Sequence, residues 1–284
     1  SEYYLCSPAE AMRLFIPGKT SIKRQAVYND EGKLIAYDYE NKLKIKTRIC
    51  FVVTKAGREA LVAYNKRLRA QMHALEVLAE AERPLSGEEL ASVQVSAATL
   101  RILCEKGWSE RSEQRVLRNS YANRTELKES LHLTDEQRQA VEAIGSAITE
   151  PHQETFLLQG ITGSGKTEVY LRVAAQAMEA GKQVLLLVPE IALTAQIVKR
   201  FQGWFGDEVA VAHSKLSQNE RADVWYKMRT NSAKLLIGVR SAVFAPFSDL
   251  GLIIIDEEHE SSYKQDERPN YHARTVALKR AQLS

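Results

Sequence analysis

The chain has 284 residues, of which 44% are hydrophobic and 26% charged, and its formal net charge at pH 7 is +3. This composition is typical of an ordinary soluble globular protein, and the length allows roughly two domains of ~150 residues. The sequence contains no apolar run of about 18 residues and no pattern of a secretion signal, so we expect a cytoplasmic protein with no membrane partner.

Cysteine spacing and local charge bear on the partners that the chain can bind. The three cysteines, Cys6, Cys50 and Cys104, lie far apart, which favours buried reduced thiols over disulfide bonds or a metal cluster. Between Lys19 and Ala70 there are 13 Lys or Arg residues against 5 Asp or Glu residues. This local excess favours contact with a phosphate backbone, and a solvated basic surface is the alternative.

The first 62 residues show two different patterns. Residues 1–18 have a helix-like apolar pattern without a visible start, and the first residue is Ser rather than Met, so we expect a fragment excised from a larger protein. From residue 19 onward apolar and polar residues alternate, for example over Leu34–Tyr37 and residues 43–49. The alternation predicts a small, basic, β-rich segment over residues 19–62 with an antiparallel sheet.

Helix signals begin at Thr54 and dominate much of the chain up to residue 107. Thr54 and Ser96 are placed to cap helices, and Ser-Gly-Glu-Glu at residues 86–89 is a capping box. Residues 108–116 alternate like a short hairpin.

Three helices and a hairpin predict a winged-helix domain over residues 63–118. Such domains can place their third helix in the major groove of DNA. Here that helix offers only Arg101 and Lys106 as basic groups, so a packing or docking role is favoured over base-specific recognition.

The remainder, residues 119–284, is the largest predicted domain. Residues 119–131 are polar and predict a linker, after which strand and helix patterns alternate, as is typical of an α/β layer with a parallel sheet. The predicted strands are residues 156–158, 184–188, 209–212, 235–238 and 252–255. The predicted helices are residues 136–147, 166–180, 193–205 and 217–229, the last with a capping box at Ser217 and Glu220.

A glycine-rich segment follows the first predicted strand. Residues 160–167 have the spacing G-x-x-x-x-G-K-[ST], in which glycines let main-chain N–H groups surround a polyphosphate. Lys166 is expected to reach the β- and γ-phosphates and Thr167 to hold Mg²⁺. A Gly/Ser loop that matches by chance is the alternative. The candidate nucleotide-binding residues here are Gly160, Gly163, Ser164, Gly165, Lys166 and Thr167.

A second candidate site follows the last predicted strand, where Asp256 and Glu257 stand at the carboxyl end of an apolar run. Ligands of α/β sheets bind at this end. Asp256 is expected to hold Mg²⁺ through water and Glu257 to polarise the water that attacks the γ-phosphate, so the candidate catalytic residues are Lys166, Asp256 and Glu257. His259 is placed to couple this site to another surface. A surface acidic turn is the alternative.

Together these motifs resemble a known family. Residues 160–167 and 256–259 are similar to motifs I and II of superfamily 2 DNA helicases. Closer resemblance to the bacterial primosomal replication-restart helicases lies at residues 162–170, 187–194, 212–214, 238–244 and 256–265.

This resemblance is close over residues 133–280. It implies a RecA-like helicase lobe 1 over residues 119–284, truncated before motif III. Residues 63–118 fit the winged-helix domain of this family less specifically, and residues 1–18 resemble the tail of its N-terminal DNA-binding domain.

The resemblance also implies roles for residues outside the two motifs. Gln137 is similar to a glutamine that contacts the adenine edge, with a capped surface helix as the alternative. Residues 189–194 resemble motif Ia and residues 238–241 motif Ib, whose loops contact single-stranded DNA. Residues 263–274 resemble a loop whose rings stack on bases and whose basic groups hold phosphates. The implied DNA-binding residues are Thr194, Arg240, Ser241, Tyr263, Lys264, Tyr271, His272 and Arg274.

The function implied by the resemblance is that of an ATP-dependent 3′-to-5′ DNA helicase that restarts replication at stalled or repaired forks. Its cofactors are ATP and Mg²⁺. Its partners are single-stranded and forked DNA, primosome and helicase-loading proteins, and single-stranded DNA-binding protein.

In this family motif III, zinc-binding cysteines and a second RecA-like lobe follow the part that the chain resembles. We therefore expect zinc only in that C-terminal part, and slow or no ATP hydrolysis by this chain alone. Two rival interpretations are another superfamily 2 translocase, such as a restriction or remodelling motor, and a non-catalytic DNA-binding module with a vestigial nucleotide site.

Overall fold

The computed structural model describes residues 6, 8–15, 22–28, 34–41, 46–63, 68–116, 132–148, 150, 153–161 and 163–283. The chain divides into a main unit, Ser1–Leu43 with Arg118–Ser284, and a small unit, Lys44–Leu117. None of the described helices is long and apolar enough to cross a membrane. The three cysteines are free thiols. The predicted linker at residues 119–131 lies outside the described residues.

The main unit begins with a helix and a hairpin: α1 (Pro8–Phe15), β1 (Ile22–Tyr28) and β2 (Leu34–Asn41), the two strands pairing antiparallel. The Phe15 ring packs edge-to-face on Phe244 with centroids 5.2 Å apart. Trp225 donates its indole N–H to the carbonyl of Phe15 at 3.2 Å. Helix α1 therefore packs on the core of the main unit.

The small unit consists of short elements: β3 (Thr47–Val53), α2 (Lys55–Val62), α3 (Arg69–Glu80), β4 (Leu85–Ser86), α4 (Gly87–Ser92), α5 (Ala97–Glu105) and β5 (Ser109–Arg115). Strand β3 lies in the middle of a three-stranded sheet and pairs antiparallel with both β4 and β5. Buried side chains of α3, α4 and α5 form the core beneath this sheet, among them Met72, Leu75, Leu90 and Leu103.

Side-chain caps determine where the helices of the small unit begin. Thr54 and Ser96 each accept a hydrogen bond from the N–H group three residues later. At α4, Ser86 and Glu89 form a reciprocal capping box. These bonds satisfy N–H groups that have no partner within the first helical turn. The helix starts predicted at these residues are confirmed.

Two strand predictions for this region are wrong. Residues 108–116 contain the single strand β5 rather than a hairpin, because this segment pairs with β3, which lies far earlier in the chain. Strand β3 itself pairs within the small unit rather than with β1 and β2. Alternation identifies a strand but not its partner. The domain boundaries at residues 1–18, 19–62, 63–118 and 119–284 stay predictions.

The rest of the main unit alternates helices and strands: α6 (Asp135–Ile148), α7 (Lys166–Glu179), β6 (Gln183–Leu187), α8 (Ala195–Phe205), β7 (Val209–Ala212), α9 (Gln218–Arg229), β8 (Leu235–Gly238), β9 (Leu250–Ile255) and α10 (Ala273–Ala281). The strands form a parallel sheet in the order β7-β8-β6-β9. The predicted α/β class with a parallel, RecA-like sheet is confirmed.

Both faces of this sheet are covered. Along β6, Val184 and Leu186 enter a core with α6, α7 and α8, whereas Leu185 and Leu187 enter a core with α9 and α10. Every residue of β6 is buried, as an inner strand of a parallel sheet requires. The carboxyl ends of the strands meet at one edge, and the candidate functional residues lie there.

The strand predicted at residues 156–158 is wrong. Residues 153–161 adopt neither helix nor strand, and Leu157 is 82% exposed. A strand requires a neighbour for its main-chain groups, and among the described strands β9 pairs on one side only, with β6. An apolar run does not by itself supply that pairing.

Candidate functional site

The glycine-rich segment forms a tight loop in front of α7. Gly163 and Gly165 have φ angles of 83° and 82°, in the left-handed region that favours glycine. Gly165 is the N-cap of α7, so the loop leads directly into the free N–H groups of the first helical turn. This backbone has the form of an anion-binding helix N-terminus.

Lys166 begins α7 and lies between the loop and the acidic motif. Its Nζ donates to the carbonyl of Gly160 at 2.8 Å and lies 3.4 Å from Oε1 of Glu257. The side chain is largely buried, 17% exposed. A cation beside a loop of N–H groups is placed to bind phosphate oxygens. The structure therefore brings two of the predicted catalytic residues together.

Asp256 and Glu257 follow directly on β9. The N–H of Asp256 donates to the carbonyl of Leu187 at 2.9 Å, which continues the pairing of β9 with β6. Glu257 has a φ angle of 45°, a conformation that is uncommon for residues other than glycine and often found at functional sites. His259 Nδ1 lies 3.9 Å from Oε2 of Glu257, and its side chain is 71% exposed. His259 thus stands beside the site at the surface, and its coupling role stays a prediction.

Two tyrosines hold Asp256. The hydroxyl of Tyr170, on α7, donates to Oδ1 of Asp256 at 3.1 Å. The hydroxyl of Tyr263 lies 2.7 Å from the main-chain oxygen of Asp256 and 3.1 Å from that of Leu187. Burial raises the pKa of Asp256, and the hydrogen bond from Tyr170 opposes that rise. Sequence reasoning missed the contacts of both tyrosines with Asp256. The sequence signal for the contact of Tyr170 was its position one helical turn after Lys166.

Helix α6 brings Gln137 to the glycine-rich loop. Its Oε1 accepts a hydrogen bond from the N–H of Thr134 at 3.0 Å, and its Nε2 donates to the carbonyl of Ser164 at 2.9 Å. Both bonds fix the amide against the loop. The predicted contact of Gln137 with adenine stays a prediction.

The predicted motif Ia and Ib residues lie on segments that follow β6 and β8. Thr194 is the N-cap of α8. Arg240 donates to the main-chain carbonyls of Lys264 at 2.5 Å and Ser262 at 3.3 Å. Ser241, next to it, is exposed. Arg240 thus joins motif Ib to the loop that follows motif II.

The two tyrosines of the predicted stacking loop are buried, whereas the prediction requires them to be exposed to DNA. Tyr263 is 0% exposed and Tyr271 is 3% exposed, and both belong to the core beside α9 and α10. In this structure neither ring can stack on a base. The physical reason is that an aromatic ring next to a core gains more by burial than by exposure, and spacing along the sequence does not distinguish the two environments.

The polar residues of the same loop are accessible. Lys264 and Arg274 are exposed and His272 is half-buried. His272 Nδ1 accepts a hydrogen bond from the N–H of Arg274 at 3.3 Å, and Arg274 forms an ion pair with Glu258. Their predicted contact with DNA stays a prediction.

Sequence reasoning also missed a buried carboxylate beside the loop. Glu168 is 4% exposed and pairs with Arg172 on its own helix and with Arg200 on α8, both at 3.1 Å. Arg172 also lies 4.9 Å from the centroid of the Trp204 ring. Glu168 therefore connects the helix after motif I to the helix after motif Ia. Its only sequence signal was the i, i+4 spacing of Glu168 and Arg172.

The oxygen donors beside the loop suit Mg²⁺. Thr167 lies in the first turn of α7, and Tyr170, three residues later on the same face, reaches Asp256. Mg²⁺ prefers oxygen ligands and is usually held by one or two side chains together with phosphates and water. Among the described residues no group of three His, Cys, Asp or Glu is placed to hold a metal ion. A hydroxyl at Thr167 and a carboxylate at Asp256 fit a cation that is shared with phosphates.

Comparison with known proteins shows that the chain is similar in sequence to replication restart proteins of several bacteria. The replication restart protein PriA of Bacillus subtilis (strain 168) is 40% identical in an alignment of 293 residues that covers 97% of this chain and 36% of that protein. The replication restart protein PriA of Chlamydia trachomatis is 37% identical in an alignment of 295 residues that covers 100% of this chain and 36% of that protein. The protein of that name from Synechocystis is 46% identical over 198 residues, 68% of this chain and 23% of that protein.

The chain spans about a third of the length of the first two relatives, at 36% of each. Residues 134–283, more than half of the chain, match the model of the family described as DEAD/DEAH box helicase. This match includes Gln137, the glycine-rich loop, the acidic motif and the loop behind it. The resemblance inferred from the motifs is confirmed, and the chain belongs to the DEAD/DEAH box helicase family.

Proposed function

We propose that the chain supplies the ATP-binding lobe of an ATP-dependent 3′-to-5′ DNA helicase that restarts replication at stalled or repaired forks. The observation that supports it best is the meeting of Lys166 and Glu257, 3.4 Å apart, at the carboxyl edge of the parallel sheet. The relatives from Bacillus subtilis and Chlamydia trachomatis are replication restart proteins, which supports the proposed cellular process.

The residues of this edge have distinct tasks in ATP hydrolysis. Lys166 and the N–H groups at the start of α7 bind the phosphates, and Gln137 contacts the base. Thr167 and Asp256 would hold Mg²⁺, which would neutralise charge that develops on the phosphates. Glu257 orients the attacking water and accepts its proton. Lys166, now paired with Glu257, would turn to the phosphates and release that carboxylate for this task.

The DNA-binding part of the proposal rests on the segments after β6, β8 and β9. The proposed contacts to single-stranded or forked DNA come from Thr194, Arg240, Ser241, Lys264, His272 and Arg274. Polar and cationic groups of this kind bind phosphates without sequence preference. Primosome proteins, helicase loaders and single-stranded DNA-binding protein are the proposed partners, and the cytoplasm is the proposed location.

ATP in such helicases is hydrolysed between two lobes. We therefore expect this chain alone to bind Mg·ATP weakly and to hydrolyse it slowly or not at all. The test compares DNA-stimulated ATPase activity of this chain with that of a chain extended through the second lobe. Activity only in the longer chain is the expected result.

Nucleotide binding provides the direct test of the site. Lys166→Ala should abolish binding of a non-hydrolysable Mg·ATP analogue in titration calorimetry, because it removes the cation that faces the phosphates. Lys182→Ala is the matched control, since Lys182 pairs with Asp249 at the amino end of the sheet, away from the loop. Equal binding by wild type and Lys166→Ala would refute the assignment.

A further inference from the structure

We propose that Tyr170 is a positioning residue for the Mg²⁺-binding carboxylate, and that its hydroxyl sets the affinity of the site for the cation by fixing the rotation of Asp256. This inference rests on the proposed function, because it assumes that Asp256 takes part in binding Mg·ATP.

Tyr170 and Asp256 are in direct contact. The hydroxyl of Tyr170 donates to Oδ1 of Asp256 at 3.1 Å. Tyr170 is anchored on α7, and its ring is buried in the core beneath the sheet, 8% exposed. A donor fixed by helix and core restricts the torsion of the carboxylate it holds. Such partners of metal ligands contribute to metal affinity although they do not touch the metal.

The main chain of Asp256 is held as well. Tyr263 is fully buried, and its hydroxyl lies 2.7 Å from the main-chain oxygen of Asp256. The main-chain N–H of Asp256 is bonded to Leu187 of the neighbouring strand. Because the backbone is fixed by these bonds, the side-chain torsion is the remaining freedom of Asp256. The hydroxyl of Tyr170, on α7, restrains this torsion because it donates a hydrogen bond to the carboxylate of Asp256.

Tyr170 is the donor of this hydrogen bond. A phenol keeps its proton at neutral pH, so the hydroxyl donates and the carboxylate oxygen of Asp256 accepts. A phenylalanine at this position would retain the buried ring and lose only the donor.

The substitution Tyr170→Phe separates positioning from packing. We expect the Mg²⁺ concentration for half-maximal binding of a non-hydrolysable ATP analogue to rise about tenfold, the lower end of the range for such partners. Binding of the metal-free analogue in EDTA should be unchanged, since the phosphates still meet Lys166. The matched control is Tyr226→Phe on α9, for which the Mg²⁺ dependence should equal that of wild type.

A double substitution tests whether Tyr170 acts through the carboxylate of Asp256. Asp256→Asn should remove most of the Mg²⁺ enhancement, and adding Tyr170→Phe to it should change nothing more, because both changes act through one carboxylate. An unchanged Mg²⁺ dependence in Tyr170→Phe would overturn the inference, and so would equal loss of binding with and without the cation. If the wild-type chain binds no Mg·nucleotide at all, the proposed function itself fails.

Discussion

Gln183, the first residue of β6, is a fully buried polar side chain. Its Nε2 donates to the carbonyls of Met228 at 2.8 Å and Ala233 at 3.0 Å. Its Oε1 accepts from the N–H groups of Ser248 at 2.8 Å and Asp249 at 3.1 Å. One amide therefore satisfies main-chain groups of two separate turns at the amino end of the sheet. Burial of those groups without partners would be costly.

Gln183→Met should lower the free energy of unfolding by about 3 kcal/mol, because it keeps the volume and leaves several buried groups without hydrogen bonds. Chemical denaturation followed by circular dichroism measures the change. The control Gln218→Met, at an exposed position in the first turn of α9, should stay within about 0.5 kcal/mol of wild type. Equal stability of wild type and Gln183→Met would contradict this role.

At the residue scale, the positions of the motif residues were predictable from the sequence. The residues that hydrogen-bond to them or to the sheet were not. Lys166 belongs to a spacing that phosphate binding requires, so the sequence alone indicated its place. Tyr170 and Gln183 make their hydrogen bonds to residues far away in the chain, which no local pattern reveals. Tyr263 was predicted to stack on DNA, and it is buried because the core takes up the ring.

At the scale of elements, the capping box of α4 shows how a few side chains start a helix. The N–H and the hydroxyl of Ser86 donate to Oε2 of Glu89 at 2.8 Å and 2.7 Å. Arg83 donates to the other carboxylate oxygen at 2.6 Å. Hydrogen bonds from Arg83 and then from Ser86 lower the pKa of Glu89 from its usual 4.5 to about 2.

This pKa shift makes the contribution of Glu89 to stability depend on pH. Since the folded state lowers the pKa, the stabilisation is fully present above about pH 4.5 and is lost as the pH falls towards about 2. Glu89→Gln should therefore be less stable than wild type at pH 6, and the difference should shrink as the pH falls towards 2. Thermal unfolding of both proteins over this range measures it.

A difference in stability that stays constant from pH 6 to pH 2 would contradict this account of Glu89. Arg83→Ala provides a second comparison, because it removes the leading cause of the pKa shift and leaves Ser86 in place. The difference in stability between Arg83→Ala and wild type should change less with pH than the difference between Glu89→Gln and wild type. The side chain of Glu89 is 34% exposed, so salt should weaken the effect.

Elements with local signals were predicted best. The boxes at Ser86 and Ser217 fixed two helix starts, because capping involves residues that are three apart in sequence. The four described strands of the parallel sheet were predicted correctly, the inner strands β6 and β8 as well as the outer strands β7 and β9. Residues 156–158 and 108–116 were wrong because strand pairing depends on distant segments, which periodicity does not identify.

At the scale of the whole molecule, the two units differ in how much the sequence revealed about them. Family motifs are dense in the main unit, and its parallel sheet was predictable as that of a helicase lobe. The small unit has no such motif, and it includes β3, which alternation had joined to the preceding strands. Contacts between distant segments define a compact unit, so its limits do not follow from local composition.

Binding of single-stranded DNA tests the proposed partner of the whole chain. Lys264→Ala should weaken binding and make the slope of log affinity against log salt concentration shallower by about 0.7, the value for one phosphate contact on a single strand. Fluorescence anisotropy of a labelled oligonucleotide at several salt concentrations measures both quantities.

The control for this experiment is Lys182→Ala, which removes the same charge at the amino end of the sheet, where Lys182 pairs with Asp249. Its salt slope should equal that of wild type. Identical slopes for Lys264→Ala and wild type would exclude a phosphate contact at Lys264.

The packing of α1 on the main unit has an optical consequence. Trp225 is 7% exposed and donates its indole N–H to the carbonyl of Phe15, the last residue of α1. Release of this helix would break that bond and admit water to the indole, which shifts tryptophan emission to longer wavelengths. With Trp108 and Trp204 replaced by Phe, Trp225 becomes the single tryptophan of the chain. The protein then reports the attachment of its own N-terminal helix without any added label.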